Sequence, residues 1–196
     1  KGMFQIYRDK FPGKKAVEFF GEAEKEIGRM AELVKEMVEF ANPNMYQTKK
    51  TDVIKLLNRS LELLSSDLKH KNISVIKLFE EGLPEILLND REMLQVFINI
   101  ILNAVDSMDS DGTLRLKAFR ASSPVGNSLK IEIQDTGCGI PEEDLSRIFA
   151  RYYTTKSTGT GLGLSIVERI ILVHEGKISV QSEIDKGTTF IIELPL

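Results

Sequence analysis

Two glycine-rich stretches bracket a basic, hydroxyl-bearing segment. Gln134-Asp135-Thr136-Gly137-Cys138-Gly139-Ile140-Pro141 lies on one side, Gly159-Thr160-Gly161-Leu162-Gly163-Leu164 on the other, and Thr154-Thr155-Lys156 falls between them. Glycine lets backbone N–H groups come close to a phosphate, and the apolar run from Ser165 to Ile171 reads as a helix whose N-terminus faces that anion. The arrangement fits a nucleotide, with one loop for the base and one for the phosphates. Asp135 follows an alternating segment and precedes Gly-x-Gly, which places a carboxylate where an adenine amino group can donate to it.

A second set of polar residues lies upstream. Gln95, Asn99, Asn103 and Asp106 recur at steps of four, four and three within an otherwise apolar run, so they share one face of a helix. A solvated stripe is usually Lys and Glu, whereas asparagine is a mediocre helix former. A ligand-facing reading therefore ranks above a solvated one: a neutral amide oxygen on a rigid helix can coordinate Mg2+, which keeps some waters and takes other ligands from nucleotide phosphates. Two competing readings are weaker. Asp135-Thr136-Gly137 matches the short aspartic-protease signature, but that leaves the asparagine stripe and the second glycine loop unexplained. The glycines at 159, 161 and 163 follow Tyr-Tyr-Thr-Thr-Lys rather than a buried strand, and their spacing does not suit a dinucleotide fingerprint.

These residues need elements to hold them. The pattern predicts a helix from about Val53 to Lys69, an alternating segment from Ile73 to Phe79, and a strongly apolar helix from Arg91 to Met108. Thr113 to Ala118 and Leu129 to Ile133 alternate with period two and read as a hairpin joined through Ala121 to Asn127. A helix from Leu162 to Val173 precedes a second strand pair, Lys177 to Val180 and Thr188 to Ile192, turning at Asp185-Lys186-Gly187. The expected class is α+β, a helix layer on one face of a mixed sheet. Upstream, Phe20, Ala23, Ile27, Met30, Val34, Met37 and Ala41 form a heptad seam that Asn42-Pro43-Asn44 ends, the mark of a helical bundle; Met3 to Tyr7 reads as the tail of another helix.

Composition narrows the classes. With 42% hydrophobic residues and a net charge of −3, the chain reads as a globular protein with no Lys/Arg-dense footprint for nucleic acid. No apolar run approaches the roughly 20 residues of a membrane helix, and no signal peptide is evident, so the expected location is cytoplasmic, although a longer parent can be membrane-anchored. The single cysteine, Cys138, excludes an internal disulfide and is expected to pack as a small side chain rather than react. His70 and His174 are expected at the surface or at helix ends, without metal-ligand spacing.

Taken in order, Asn99-Ile100-Ile101-Leu102-Asn103-Ala104, Asp135-x-Gly137-x-Gly139, Phe149 to Lys156 and Gly159 to Leu164 resemble the N box, first glycine box, F box and second glycine box of sensor histidine kinases of two-component systems, and Gly187-Thr188-Thr189-Phe190 is similar to their closing motif. The resemblance implies a Bergerat-type α/β sandwich over residues 46–196, a catalytic ATP-binding domain, and a segment over 1–43 similar to the C-terminal part of the helical dimerisation and phosphotransfer domain. It implies that Asn103 holds Mg2+ with Asn99 beside it, that Asp135 accepts from the adenine amino group, and that Gly137 and Gly139 admit the base. Thr154, Thr155 and Lys156 reach the phosphates, Gly159, Thr160, Gly161, Leu162, Gly163 and Leu164 form a lid, and Thr188 supports the adenine. Asp106, Ile140 and Tyr153 join the nucleotide-binding set, with Asn99, Asn103 and Lys156 assigned to catalysis. The implied cofactors are ATP and Mg2+; the implied partners are a response regulator receiver domain and a second copy in the full-length protein, with no membrane contact by these residues.

Departures also bear on function. Many members carry a basic residue at the position of Asp106 and a proline at that of Arg151. The family's acceptor histidine and its acidic neighbour do not occur here, so the expectation is a kinase whose acceptor lies upstream of Lys1 and which binds ATP without labelling itself. A rival of the same superfold is an ATPase, in which a glutamate one turn before the metal asparagine activates water. Here that position is Asn99, which cannot act as a general base, so hydrolysis is expected to be slow. A third alternative is a non-enzymatic dimerisation module with a decayed site.

Overall fold

The computed structural model describes residues 47–123, 126–156 and 159–196, together with the helical positions Ala23 and Ile27. The readings of residues 1–43 as helical segments of a bundle otherwise lie outside the described residues. The chain divides into two compact units, Gln47–Thr155 with Gly161–Leu196, and Lys1–Tyr46 with Lys156–Thr160. The larger unit carries the sheet.

It opens with β1 (Lys49–Thr51) and α1 (Val53–Leu63). Asp52 caps α1, its carboxylate accepting from the N–H groups of Ile54 at 2.9 Å and Lys55 at 3.2 Å. The helix predicted to run on to Lys69 breaks at Leu64, and α2 (Ser65–His70) resumes beyond it. Ser60 sits in the last turn of α1 with its hydroxyl bonded back to the Leu57 carbonyl at 2.7 Å, a side-chain bond that competes with the helical ladder. Across the break, Leu61, Leu64 and Leu68 are all buried.

Next come β2 (Ser74–Phe79), β3 (Ile86–Leu88), α3 (Asp90–Ser107), β4 (Thr113–Ser123) and β5 (Gly126–Gln134). The short strands β1 and β3, which the sequence pattern did not predict, pair antiparallel. The predicted connection from Ala121 to Asn127 is also corrected. Both strands run on until Ser123 pairs with Gly126, because the backbone ladder continues where the side chains have stopped alternating. The larger unit ends with α4 (Glu142–Leu145), also not predicted, α5 (Gly163–Val173), β6 (Lys177–Glu183) and β7 (Gly187–Pro195).

Five strands form one sheet in the order β2-β4-β5-β7-β6. β2 and β4 are parallel, and the other neighbours are antiparallel. Leu114, Leu116 and Ala118 of β4, Leu129, Ile131 and Ile133 of β5, and Phe190, Ile192 and Leu194 of β7 are buried on one face. Against them lie Leu57 of α1, Met93, Phe97, Ile100 and Ile101 of α3, and Val167 and Ile171 of α5. This is the expected α+β sandwich of a helix layer on a mixed sheet. Fully burying one such aliphatic or aromatic side chain is worth about 1.5–3 kcal/mol, so the sheet and helices stabilise each other through this single seam.

Two ties hold α5 on α3. The Asn99 amide donates to the Gly163 carbonyl at the start of α5 at 3.3 Å. At the other end His174 stands at the helix end, one of the two expected places, but is buried: its Nε2 accepts from the Asn89 N–H at 3.0 Å and its Nδ1–H donates to the Ile170 carbonyl at 2.8 Å. The ties stand at opposite ends of the 11-residue α5. Each helix rises about 1.5 Å per residue, so the antiparallel pair is clamped in register. No described helix is long and apolar enough to cross a membrane.

Candidate functional site

The site gathers around Asp135, which leaves the end of β5 and is only 2% exposed. Its main-chain N–H donates to the Thr188 carbonyl at 2.9 Å. In return, its carboxylate Oδ1 accepts the N–H of Thr188 at 3.1 Å and that of Gly137 at 2.8 Å. Both backbone donors reach the same oxygen, so the carboxylate keeps acceptor capacity beyond them. Burial pushes the Asp135 carboxyl above its ordinary value of 3.8, against hydrogen bonds from Gly137, Thr188 and the Ser107 side chain that favour the charged form. A further donor that stabilises the anion is therefore favourable here, and an exocyclic amino group is such a donor.

The first glycine loop is pinned from both sides. Cys138 donates its N–H to the Ser107 carbonyl at 3.1 Å, and its own carbonyl accepts from Asp185 N–H at 2.9 Å. The glycines make that possible: a Cβ on Gly137 would collide with Ser107, and one on Gly139, where φ is +73°, would collide with the Glu183 carbonyl. Their positions are therefore explained by protein packing as well as by room for a base. Cys138 is exposed, contrary to the expectation that it packs as a small side chain; its backbone bonds to Ser107 and Asp185, rather than its side chain, hold it in the loop.

Thr188 is buried and belongs to a hydroxyl network that the sequence reading missed. Ser182 on β6 accepts from the Ile140 N–H at 2.8 Å and lies 3.0 Å from the Gly187 carbonyl and 2.9 Å from the Thr188 hydroxyl. One serine thus joins the end of the first glycine loop to the strand that holds Asp135. Its place across the hairpin from Thr188 is set by strand register, and nothing in its sequence neighbourhood signals it. Ser107 is the second residue missed. Its hydroxyl has a single proton, and that proton has two acceptors, the Ala104 carbonyl at 2.9 Å and the Asp135 carboxyl group.

The predicted asparagine face is real: Gln95, Asn99 and Asn103 are half-buried along α3 and Asp106 is exposed, opposite Val96, Phe97, Ile100 and Ala104. Asn99 contacts Gly163 at the start of α5, where the buried Leu162 and half-buried Leu164 flank it. Among the described residues no group of three or more His, Cys, Asp or Glu could hold a metal ion. The donor set fits a cation that brings most of its ligands with it, as Mg2+ does with a nucleotide, and the Asn103 amide oxygen is the kind of neutral protein ligand that such a cation adds.

The segment before the second glycine stretch is anchored as well. Tyr152, at φ +66°, donates its N–H to the Gly161 carbonyl at 2.9 Å, and a Cβ on Gly161, at φ +70°, would strike the Tyr152 backbone. Tyr153 is tied to α4: the Asp144 carboxylate bonded to its hydroxyl pushes the phenol above its ordinary value of 10.0, and the Arg147 guanidinium lies 4.8 Å from its ring centroid. Thr154 and Thr155 follow, both exposed. Lys156, Gly159 and Thr160 belong to the other unit, where the Gly159 N–H donates to the Lys156 carbonyl at 3.2 Å.

A helix-covered mixed sheet with this carboxylate, asparagine helix and pair of glycine loops defines a class. Residues 89–196 match the family described as histidine kinase-, DNA gyrase B- and HSP90-like ATPases, and the chain belongs to that family. Within it, the chain is similar to the catalytic domains of sensor histidine kinases. Over 197 residues it is 34% identical to the sensor histidine kinase ZraS of Escherichia coli strain K12, covering all of this chain and 42% of that protein. Over 196 residues it is 33% identical to sporulation kinase C of Bacillus subtilis strain 168, covering 44% of it. The chain thus spans less than half the length of these relatives. Among solved structures, the nucleotide-free catalytic domain of histidine kinase ThkA superposes with a TM-score of 0.68 at 26% identity, covering 76% of this chain and 95% of that one. Full-length ShkA in complex with AMPPNP superposes at 0.69 and 25% identity, covering 99% of this chain and 42% of that one.

Proposed function

We propose that the chain transfers the γ-phosphoryl group of ATP to a histidine outside these residues, for relay to the aspartate of a response regulator receiver domain, as part of a protein that works as a homodimer in the cytoplasm. The observation that carries the nucleotide reading is the buried Asp135 carboxylate, with one oxygen taken by two backbone donors. Adenine donates its amino group to the other oxygen, and Thr188, Gly137, Gly139 and Ile140 surround that end through the hydroxyl and loop contacts above.

Asn103 would hold Mg2+, which when bound neutralises charge on the phosphates and orients them. Asn99 sets where the start of α5 stands, because its amide is spent on the Gly163 carbonyl. The backbone N–H groups from Gly161 to Leu164 then meet the phosphates at the positive end of the α5 dipole. Thr154, Thr155, Lys156, Gly159 and Thr160 are assigned to the phosphates on the strength of the family resemblance. Transfer of a phosphoryl group needs positioning and charge neutralisation more than covalent help, and these groups supply both.

The acceptor is another polypeptide segment. His174 is buried with both ring nitrogens engaged, and His70 ends a short helix with no acidic residue adjoining it. The rival reading, an ATPase that drives a conformational change, lacks its base, since Asn99 presents an amide where a water-activating carboxylate is required.

The deciding experiment incubates this chain with γ-labelled ATP and Mg2+, alone and with a dimerisation and phosphotransfer segment of a relative that carries the acceptor histidine. Acid-labile label on the added segment, and none on this chain alone, is the expected result. Rapid release of phosphate without label on either polypeptide would replace the kinase reading with the ATPase.

A further inference from the structure

Helix α3 ends at Ser107 with no basic residue in its own last turn. Its last carbonyls therefore stand at the negative end of the helix dipole without a cation of their own. That charge comes from a distant part of the chain. Lys71, just beyond α2, donates from Nζ to the carbonyls of Val105 and Met108, both at 2.8 Å. These two residues flank Asp106 and Ser107.

Lys71 is itself held in place. Its N–H donates to the Asp67 carbonyl at 3.2 Å and its carbonyl accepts from Asp111 N–H at 3.0 Å. Asn72 and Asp111, both in the left-handed region with φ of 53° and 54°, are joined by a side-chain hydrogen bond. The turn after α2 is thereby latched to the turn after α3. The carbonyls of the last turn are capped by tertiary and local partners: Ala104 by the Ser107 hydroxyl, Ser107 by Cys138 N–H, and Val105 and Met108 by Lys71.

We infer that Lys71 is a positioning residue for the adenine site, acting through the last turn of α3. Ser107 sits in the turn that Lys71 holds, Gly137 packs against Ser107 with no room for a Cβ, and Cys138 hangs from its carbonyl. Ser107 is also a hydrogen-bond partner of Asp135. Without the ammonium group two carbonyls lose their donor, the turn frays, and the loop that orients the Asp135 carboxylate loses its floor. The inference rests on the nucleotide reading, and it assigns to Lys71 a share of selectivity for the 6-amino group rather than a contact with the ligand.

The test measures calorimetric dissociation constants of ADP and of purine riboside diphosphate, which lacks the 6-amino group, for this chain, Lys71→Met, Lys71→Arg and a control, Lys55→Met. Lys55 is exposed and pairs with its neighbour Asp52 at 3.3 Å. In the parent chain the amino group is worth a charged hydrogen bond, about a 10-fold preference or more for ADP. Lys71→Met is expected to weaken ADP about 5-fold while moving the purine analogue less than about 2-fold, so the preference collapses. Lys71→Arg keeps the charge and its donors and recovers most of it; Lys55→Met changes nothing. A preference that survives intact in Lys71→Met overturns the inference, as does equal weakening of both ligands, which marks a merely structural lysine. If Lys71→Met does not fold, as judged by its thermal transition, the same ratio is read in Lys71→Gln, whose shorter, neutral side chain cannot bridge both carbonyls, and an undiminished ratio there is equally fatal. A parent chain that binds ADP with no preference over the analogue removes the adenine reading itself, a result distinct from failure of Lys71 alone.

Discussion

Replacing Asp135 with asparagine separates what this residue does for the ligand from what it does for the fold. The amide is nearly isosteric, and its oxygen can keep the two N–H donors of Gly137 and Thr188 that Oδ1 accepts at 2.8 and 3.1 Å. What changes is the other position, where an acceptor becomes an NH2 donor facing the donor of the adenine. The loss is one hydrogen bond to a charged group, about 1.5–3 kcal/mol, hence about 10- to 150-fold in the dissociation constant of ADP. Stability moves the other way. Burial raises the folded carboxyl above its ordinary 3.8, so Asp135 stabilises the fold relative to the unfolded chain only at low pH, and that contribution is lost as pH rises through the raised value. The substituted amide does not titrate. In Asp135→Asn the melting temperature relative to the parent should therefore rise as pH is increased from near 4, whereas ADP affinity at neutral pH falls. Calorimetric titration with ADP and thermal melts across pH 4–8 read both effects. An Asp135→Asn protein that binds ADP within about twofold of the parent would refute the assignment of this carboxylate to the adenine amino group.

Three further outcomes test other parts of the site. Gly139→Ala places a Cβ against the Glu183 carbonyl at a φ of +73°; the cost is about 2 kcal/mol or more, read as a drop of about 4–8 °C in melting temperature. Asn103→Ala should leave metal-free ADP binding nearly unchanged but abolish most of the gain that Mg2+ gives to ATP binding, measured by titration with and without a chelator. His174→Phe strands the buried Asn89 N–H that Nε2 now accepts at 3.0 Å, an orphan donor worth about 1–3 kcal/mol of stability in denaturant unfolding; an unchanged midpoint would show that the tie is dispensable.

The elements that present the site were legible because their signals are local. The helix carrying Asn99 and Asn103, the hairpin cores, the helix after the second glycine stretch and the closing strand pair all follow from apolar periodicity, which reports one buried face regardless of what covers it. Asp135 and its glycines were legible for a related reason: a carboxylate between a strand and Gly-x-Gly is a short-range pattern. The break at Leu64, the reach of β4 and β5 to the pair Ser123 and Gly126, and the strands β1 and β3 were not, since each depends on backbone pairing or side-chain competition that leaves no period in the residues.

What the chain's order of residues determined by itself is therefore the fold class, the asparagine face and the two glycine loops. Only the tertiary structure decided how they are held. It showed that Gly137 and Gly139 are small partly because Ser107 and Glu183 occupy the space beside them, that Ser182 wires Ile140 to Thr188, that His174 at its helix end is a buried tie, and that Lys71 supplies the cation for a helix end remote from it in sequence. The physical reason is common to all four. Each is a polar or close-packed contact between segments far apart along the chain, and its free energy depends on burial and direction, quantities that exist only once the chain has folded.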